Sequence, residues 1–285
     1  ARPERWRNAG PGGRGAGQPG GDGGVELRQV AEAATRHGLT VWENTLDTQL
    51  VPFLADHVVG SEVVLPGAAY LEMALAAALE TYGPGPVELE NVEMRHSMAL
   101  AQGKARVVRF TLSAEGGDFS IESRELMHAA DMISHVTGRI VPKLRKTLRK
   151  TPCPKPCGSE ADTAGLYAKA VDSGLHFGPA FRPMRRVWRQ GDTAVANRRL
   201  EPVAAYAGAV LHPALIDGAF QILLALADWH DDALSNFIYL PTRVGRLLLL
   251  EKGAATTARA TLIRQSRRSL TASFSLYDQA GRELA

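Results

Sequence analysis

Two long apolar segments with helical spacing dominate the hydrophobic pattern of the chain. The first runs from about Pro66 to Tyr82 and the second from about Pro213 to Trp229. Apolar side chains recur in them every three or four residues, which predicts two buried helices. Both begin at a proline, which suits the first helical turn because its missing N–H has no partner there. The positions at helical spacing are Leu71, Ala74, Leu75, Ala78, Leu79 and Tyr82 in the first segment, and Ile216, Phe220, Leu223, Leu224 and Ala227 in the second.

The remaining folded sequence is typical of β-strands. In the first half we predict strands at 48–53, 88–95, 106–113, 118–124 and 133–141. In the second half we predict a short helix near 161–173 and strands at 184–190, 193–200, 243–250, 256–264 and 270–277. Each half thus combines one long helix with about five strands, and a helix that is apolar on most faces must be wrapped. We predict an α+β fold, duplicated, with curved antiparallel sheets, because a doubly wound α/β fold needs more helices.

Two stretches of biased composition suggest linkers. The segment AGPGGRGAGQPGGDGG at 9–24 is too rich in glycine and proline to bury apolar area, so residues 1–25 are predicted to form a flexible linker. It contains a G-x-G-x-x-G match, but no strand precedes it and no helix follows, as a dinucleotide site requires. A basic, proline-rich segment at 143–160 separates two predicted units, 26–142 and 161–285.

Composition and charge narrow the possible functions. The chain is 45% hydrophobic and 22% charged, with a net charge of +3, and no apolar run reaches the roughly 20 residues of a membrane span. No signal peptide is apparent, and no interleaving of arginine with aromatic residues supports nucleic-acid binding. Cys153 and Cys157 lack the further ligands of a zinc site. A reducing, cytoplasmic location is the expectation.

Two polar residues stand out within the apolar segments. His57 precedes the first helix, and Asp217 lies four residues after Pro213, with Gln221 one turn further on the same face. The corresponding place in the first helix is occupied by Tyr70. If the halves pack together, the imidazole and the carboxyl group could form one catalytic pair. From the residues alone, a buried core histidine and an aspartate placed to favour the helix dipole remain equally open.

Three motifs follow one another along the chain: LADHVVGSEVVLPGAAYLEMALAAA, GLHFGPAF (174–181) and LHPALIDGAFQ (211–221). In this order they are similar to the patterns H-x-x-x-G-x-x-x-x-P, G-x-x-Y-G-P-x-F and H-P-x-x-x-D followed by a glutamine, which are those of the dehydratase domains of modular polyketide synthases. YLPTRVGRLLL (239–249) is similar to a late strand of the family. The resemblance covers about residue 40 to the end and implies a double hot-dog fold. Two positions depart from it, Ser61 in place of the motif glycine and Phe177 in place of the tyrosine.

The resemblance implies dehydration of a β-hydroxyacyl thioester to an enoyl thioester. His57 would be the base that takes the α-proton, and Asp217 would be the acid that protonates the β-hydroxyl group. Gln221 would orient the carboxyl group, and backbone N–H groups at the start of the first helix would stabilise the thioester oxygen. The residues expected to orient the substrate or shape its tunnel are Gln221, Gly67, Ala68, Phe177, Gly178, Pro179, Pro66 and Pro213.

The resemblance also implies the partners. The substrate would arrive on the phosphopantetheine arm of an acyl carrier protein, with no metal or redox cofactor, and the domain would work as a homodimer beside other domains of one synthase. Neither nucleic acid nor membrane is expected as a partner. Basic residues that could receive the acidic carrier protein are Arg182, Arg185, Arg186 and Arg243. The open alternatives are double-bond isomerisation, ring closure by oxa-conjugate addition, an inert docking domain and, less favoured, a thioesterase.

Overall fold

The computed structural model of the chain describes residues 28–29, 38–127, 131–141, 151–199, 208–227, 239–266 and 269–285. The predicted linker at 1–25 lies outside these residues, as does the part of the second linker up to residue 150. No helix among the described residues is both long and apolar enough to cross a membrane.

The first half contains one long helix and most of a large sheet. Its elements are β1 (Arg28–Gln29), β2 (Leu39–Leu46), a 3-10 helix (Pro52–Asp56), β3 (His57–Val59), β4 (Glu62–Val63), α1 (Gly67–Tyr82), β5 (Val87–Met94), β6 (Arg106–Ser113), β7 (Asp118–Glu125) and β8 (Ile133–Val141). Every residue of α1 from Ala68 to Ala78 is buried, as its all-round apolar pattern predicts.

The second half repeats the helix and sheet with shorter helices. Its elements are β9 (Ser159–Ala161), α2 (Thr163–Asp172), β10 (Leu175–Phe177), a 3-10 helix (Pro179–Phe181), β11 (Met184–Gln190), β12 (Thr193–Arg198), α3 (Pro213–Phe220), α4 (Leu223–Leu226), β13 (Arg243–Leu249), β14 (Thr257–Gln265) and β15 (Leu270–Tyr277). The strand β9 begins inside the predicted second linker.

The strands form three antiparallel sheets. Seven strands follow the order β1-β2-β6-β7-β8-β5-β13, five follow β15-β14-β12-β11-β9, and β10-β3-β4 form a small third sheet. Helix α1 packs against β5 and β8, α3 packs against β12, β14 and β15, and the two helices contact each other. Antiparallel sheets around central helices agree with the predicted α+β class.

The two halves are joined by strands that cross between them. Strand β13 of the second half pairs with β5, and β10 of the second half pairs with β3. A further link is the carboxylate of Glu72, which is buried in α1 and accepts hydrogen bonds from the backbone N–H groups of Val210 (2.8 Å) and Leu211 (2.9 Å). The segment that leads into α3 is therefore held by a side chain of α1.

Two of the predicted elements are wrong. Residues 48–53 do not form a strand, because the side chain of Asp47 accepts the backbone N–H groups of Gln49 and Leu50 and closes a turn. Strand β2, at 39–46, takes that place in the sheet. The second long helix is not continuous, because the N–H groups of Leu224 and Ala225 bond to the carbonyls three residues earlier. Residues 228 and 229, its predicted end, lie outside the described residues.

Candidate active site

His57 is the first residue of β3, and its imidazole is held in one orientation. Its Nδ1 lies 2.8 Å from the carbonyl oxygen of Val64, which can only accept a hydrogen bond. In the neutral ring Nδ1 must therefore carry the proton, which leaves Nε2 as the basic nitrogen. The ring centroids of Phe177 and Phe181 lie 5.8 and 5.2 Å from that of the imidazole, so two aromatic side chains pack against it.

Asp217 lies in the middle of α3 and faces the histidine. Its Oδ1 is 4.0 Å from Nε2 of His57, too far for a direct hydrogen bond, and both residues are buried. Burial raises the pKa of Asp217, although the neighbouring imidazole and the amide of Gln221 oppose this change. The packing of α3 is close here, because a Cβ on the next residue, Gly218, would lie 2.3 Å from Pro183.

Gln221 connects the carboxyl group to two other elements. Its Nε2 donates to Oδ2 of Asp217 (2.7 Å) and to the carbonyl oxygen of Phe181 (2.9 Å), while its Oε1 accepts from the hydroxyl of Tyr167 (3.1 Å). The spacing of Asp217 and Gln221 predicts the first contact. Sequence reasoning missed Tyr167 and the Phe181 carbonyl, because α2 and the second 3-10 helix meet α3 only in the folded chain.

The second motif forms the turn beside the histidine. Phe177 is paired directly with His57 across strands β10 and β3. The N–H of Gly178 donates to the carbonyl of Asp56 (2.7 Å), and the N–H of Ala180 donates to its carboxylate (2.7 Å). Gly178 leaves room for this contact, since a Cβ there would lie 2.3 Å from the Asp56 carboxyl carbon. Pro179 starts the 3-10 helix. Asp56, missed by the sequence reasoning, thus joins the two motifs.

The two motif prolines occupy different positions at their helices. Pro66 is the N-cap of α1, and the helix begins at Gly67, whereas Pro213 is the first residue of α3 after the N-cap His212. His212 accepts the N–H of Ala214, so it caps the helix. The first N–H groups of a helix have no partner within it, so Gly67 and Ala68 present theirs at the positive end of α1.

The altered glycine of the first motif has a local explanation. Val59 pairs with Glu62, so Gly60 and Ser61 form a two-residue hairpin loop. Gly60 has a φ of 63°, and a glycine at the first loop position is typical of a type II′ turn. Gly60 therefore supplies the glycine that this turn needs, one residue before the motif position that Ser61 occupies. Its N–H donates to the carbonyl of Gly174 (2.7 Å), which binds this turn to the second half.

The four arginines suggested for carrier-protein docking are not gathered on one element. Arg182 donates to the Phe177 carbonyl and lies over the Tyr167 ring, and Arg186 forms a two-bond ion pair with Glu160. Arg243 is on the seven-stranded sheet, where it donates to Asn91. Arg185 is exposed on β11. Their role in docking stays a prediction. Among the described residues, no cluster of three histidine, cysteine, aspartate or glutamate residues could hold a metal ion.

Two family models match the chain. One, described as "Polyketide synthase dehydratase domain", matches residues 27–124, and the other, "Polyketide synthase dehydratase N-terminal domain", matches residues 145–285. The highly reducing polyketide synthase acrA of Aspergillus aculeatus is 32% identical over 263 residues, which cover 84% of this chain and 11% of that protein. The spectinabilin polyketide synthase system protein NorA' of Streptomyces orinoci is 34% identical over 194 residues, 63% of this chain and 5% of that protein. The chain thus spans only a small part of these relatives.

Solved structures show the same fold. GphF Dehydratase 1 has a TM-score of 0.77 at 26% identity, covering 90% of this chain and 93% of that chain. The dehydratase domain from the CurJ module of the curacin polyketide synthase has a TM-score of 0.76 at 23% identity, covering 88% and 90%. The predicted double hot-dog fold is confirmed. With both halves matched by dehydratase models and the fold shared with solved dehydratase domains, the chain belongs to the dehydratase domains of polyketide synthases, which are hydro-lyases.

Proposed function

We propose that this domain removes water from a β-hydroxyacyl thioester carried on an acyl carrier protein, with His57 as the base and Asp217 as the acid. The observation that carries the proposal is the gap of 4.0 Å between Nε2 of His57 and Oδ1 of Asp217. The two groups are close enough to act on adjacent carbon atoms and too far apart to neutralise each other by a direct hydrogen bond.

The hydrogen bond from Nδ1 to the Val64 carbonyl supports the role of His57. It leaves the Nε2 lone pair to take the α-proton of the substrate, and it stabilises the imidazolium that results. The electrons of the broken C–H bond form the new carbon–carbon double bond. The aromatic rings around the imidazole keep water away, which strengthens electrostatic interactions in the site.

The contacts of Asp217 support its role as the acid. Oδ2 accepts a hydrogen bond from Gln221, so the carboxyl proton belongs on Oδ1, the oxygen that faces His57. Because burial raises the pKa of this carboxyl group, the proton is retained at higher pH than on an exposed aspartate. As the Cβ–O bond breaks, Asp217 gives that proton to the departing hydroxyl group, which leaves as water. After the product leaves, His57 gives up its extra proton to solvent and Asp217 takes one back, which restores both groups.

The start of α1 supplies our candidate for stabilising the thioester. The thioester oxygen gains negative charge as the α-proton leaves, and backbone N–H groups at a helix start favour such charge. We assign this role to Gly67 and Ala68. The turn formed by Phe177, Gly178 and Pro179 lies beside His57 and would line the acyl tunnel.

We further propose that the acyl chain enters on phosphopantetheine and that the domain uses no metal or redox cofactor. Because the relatives are synthases of which this chain spans 11% or less in the two examples above, the adjoining partners would be other domains of one polypeptide. A homodimer and a cytoplasmic location are part of the same proposal.

The experiment is incubation with a panel of β-hydroxyacyl pantetheine thioesters that differ in chain length, α-methylation and hydroxyl configuration, followed by mass spectrometry. We expect an enoyl product that has lost one water for at least one member. No product from any member, or from the same acyl groups on a carrier protein, would contradict the proposal.

Double-bond isomerisation is the second candidate. It is favoured by one structural neighbour, since a variant of GphF DH1, 26% identical to this chain, is described as isomerase-inactive. A base that removes a γ-proton from the enoyl product could move the double bond at the same site. The panel decides between the two, because a β,γ-unsaturated product separates from the α,β-unsaturated one by chromatography.

A further inference from the structure

Tyr167 is a buried tyrosine of α2 that touches neither His57 nor Asp217 by any hydrogen bond in the described structure, yet it is joined to the site through Gln221. Its hydroxyl donates to Oε1 of Gln221 at 3.1 Å. The backbone N–H of Met184 donates to the same hydroxyl at 3.4 Å. The ring packs edge-on against Phe177, with centroids 6.3 Å apart.

Four residues are linked by consecutive hydrogen bonds, from Met184 through Tyr167 and Gln221 to Phe181. A backbone group at each end of this series limits the direction of its hydrogen bonds. At one end, the N–H of Met184 can only donate, so the Tyr167 oxygen accepts it, and the hydroxyl proton is left to bond to Oε1 of Gln221. At the other end, the carbonyl of Phe181 can only accept, so it faces the amide nitrogen of Gln221. The amide thus has one orientation that satisfies both ends, with Nε2 towards Asp217.

That orientation decides which oxygen of Asp217 carries the proton. With Nε2 as a donor to Oδ2, the proton must lie on Oδ1, opposite Nε2 of His57. If the amide turned over, Oε1 would face Oδ2 and accept a hydrogen bond from a proton carried on Oδ2. The acid would then hold its proton on the oxygen that points away from the base and the substrate.

We propose that Tyr167 is a positioning residue, whose hydroxyl holds the Gln221 amide so that the proton of Asp217 stays on Oδ1. The proposal rests on the proposed role of Asp217 as the acid. It gives α2 a part in the reaction, although nothing in its sequence pattern indicates one. Tyr167 does not touch the reacting atoms in this scheme, so its loss should affect turnover and leave substrate binding nearly intact.

The first test replaces Tyr167 by Phe, which keeps the ring and removes the hydroxyl. We expect kcat to fall about three- to tenfold, as for one lost neutral hydrogen bond, with little change in KM. The basic limb of the profile of kcat against pH should move to higher pH. The hydrogen bond from Gln221 to Asp217 is then weaker, so the ionised carboxylate loses stabilisation. A purely structural role would lower activity without moving this limb.

The matched control is Tyr82→Phe. Tyr82 also donates a hydroxyl hydrogen bond, to the carbonyl of Ala114 at 3.0 Å, but it lies at the end of α1. We expect no change in its pH profile. In a double-mutant cycle, Tyr167→Phe should have no further effect in a Gln221→Ala background, since Tyr167 acts through Gln221. Multiplicative losses in the double variant would overturn the proposal.

A second variant covers the case in which Tyr167→Phe fails to fold. Incorporation of 3-fluorotyrosine at position 167 keeps the ring and the hydroxyl and makes the hydroxyl a stronger donor. The basic limb should then move in the opposite direction, to lower pH. A basic limb that stays in place, or moves to higher pH, in the fluorinated protein would overturn the proposal.

The proposal can also be judged without turnover. In protein labelled with carboxyl-¹³C aspartate, the Asp217 resonance is assigned from its loss in Asp217→Asn and titrated by NMR. We expect its pKa to be higher in Tyr167→Phe than in the parent protein. An unchanged titration would refute the positioning role even if the domain is inactive on every substrate, whereas an inactive domain with the expected shift would refute only the proposed function.

Discussion

Replacing Glu72 by Gln tests whether the first helix holds the segment that carries Asp217. The two carboxylate oxygens accept the N–H groups of Val210 and Leu211 at 2.8 and 2.9 Å, and Glu72 is only 3% exposed. A glutamine offers one acceptor oxygen, so its amide N–H₂ would face one of the two backbone donors. The substitution is nearly isosteric, so the effect reports the hydrogen bonds and not a cavity.

The cost follows from the group left without a partner. One buried, unpaired N–H costs about 1–3 kcal/mol, so we expect Glu72→Gln to lower the free energy of unfolding by about 2 kcal/mol. For a domain of this size that corresponds to a fall in Tm of about 4–8 °C. Glu72→Ala should cost about twice as much, because both N–H groups lose their acceptor.

Differential scanning calorimetry at neutral pH is the assay. The control is Glu62→Gln, because Glu62 is exposed on β4 and an exposed substitution of this kind usually changes stability by less than about 0.5 kcal/mol. If Glu72→Gln melts within one degree of the parent protein while the control behaves as expected, the buried carboxylate does not hold the two halves together and the reasoning is refuted.

Three further predictions concern the acid, the turn and the docking surface. Because burial raises the pKa of Asp217 above its unfolded value, its protonated form stabilises the fold at low pH and that contribution is lost as the pH rises through the raised pKa. The Tm of Asp217→Asn should therefore exceed that of the parent protein increasingly at higher pH, and a pH-independent difference would contradict this. Gly178→Ala should lower turnover strongly, because its Cβ would lie 2.3 Å from the carboxyl carbon of Asp56. The control Gly245→Ala, which has open space around the Cβ, should leave turnover unchanged, and equal effects of the two substitutions would argue against the close approach. Arg185→Glu should slow turnover of carrier-bound substrate and spare pantetheine thioesters, with Arg264→Glu as the exposed control, and equal losses on both substrates would rule out a docking role.

Local sequence pattern predicted most of the secondary structure. The strands at 106–113, 133–141, 184–190 and 270–277 coincide with the predicted ranges, because each has a strong alternation or an apolar run between turn residues. The failures have local causes that periodicity does not record. The side chain of Asp47 closes a turn where a strand was predicted, and the second helix is interrupted after Phe220.

Contacts between the halves were the hardest to predict. No local pattern shows that β13 leaves its own half to pair with β5, because strand pairing depends on the whole topology. The division into units at 26–142 and 161–285 remains a prediction. Glu72 does carry a signal in the sequence, since an acidic residue within an apolar helix must find a partner when it is buried.

The site was predicted in part. The sequence allowed a pair between His57 and Asp217 if the two halves pack together, and in the structure Nε2 of His57 lies 4.0 Å from Oδ1 of Asp217. The partners that orient them could not be read from spacing. Val64, Phe181 and Met184 act through backbone groups, which carry no residue-specific signal in a sequence. The catalytic roles themselves stay predictions until they are measured.

The central claim is that His57 acts as the base and Asp217 as the acid. A change of leaving group tests this claim most directly. A β-chloroacyl pantetheine thioester needs a base to lose its α-proton, but chloride leaves without being protonated. Elimination rates, corrected for the reaction in buffer, are compared for the hydroxy and chloro substrates in the parent protein, His57→Ala and Asp217→Asn. We predict that Asp217→Asn loses about 10²–10⁴-fold on the hydroxy substrate and far less on the chloro substrate, while His57→Ala loses activity on both. Equal losses of Asp217→Asn on the two substrates, or elimination by His57→Ala at the parent rate, would contradict the assignment.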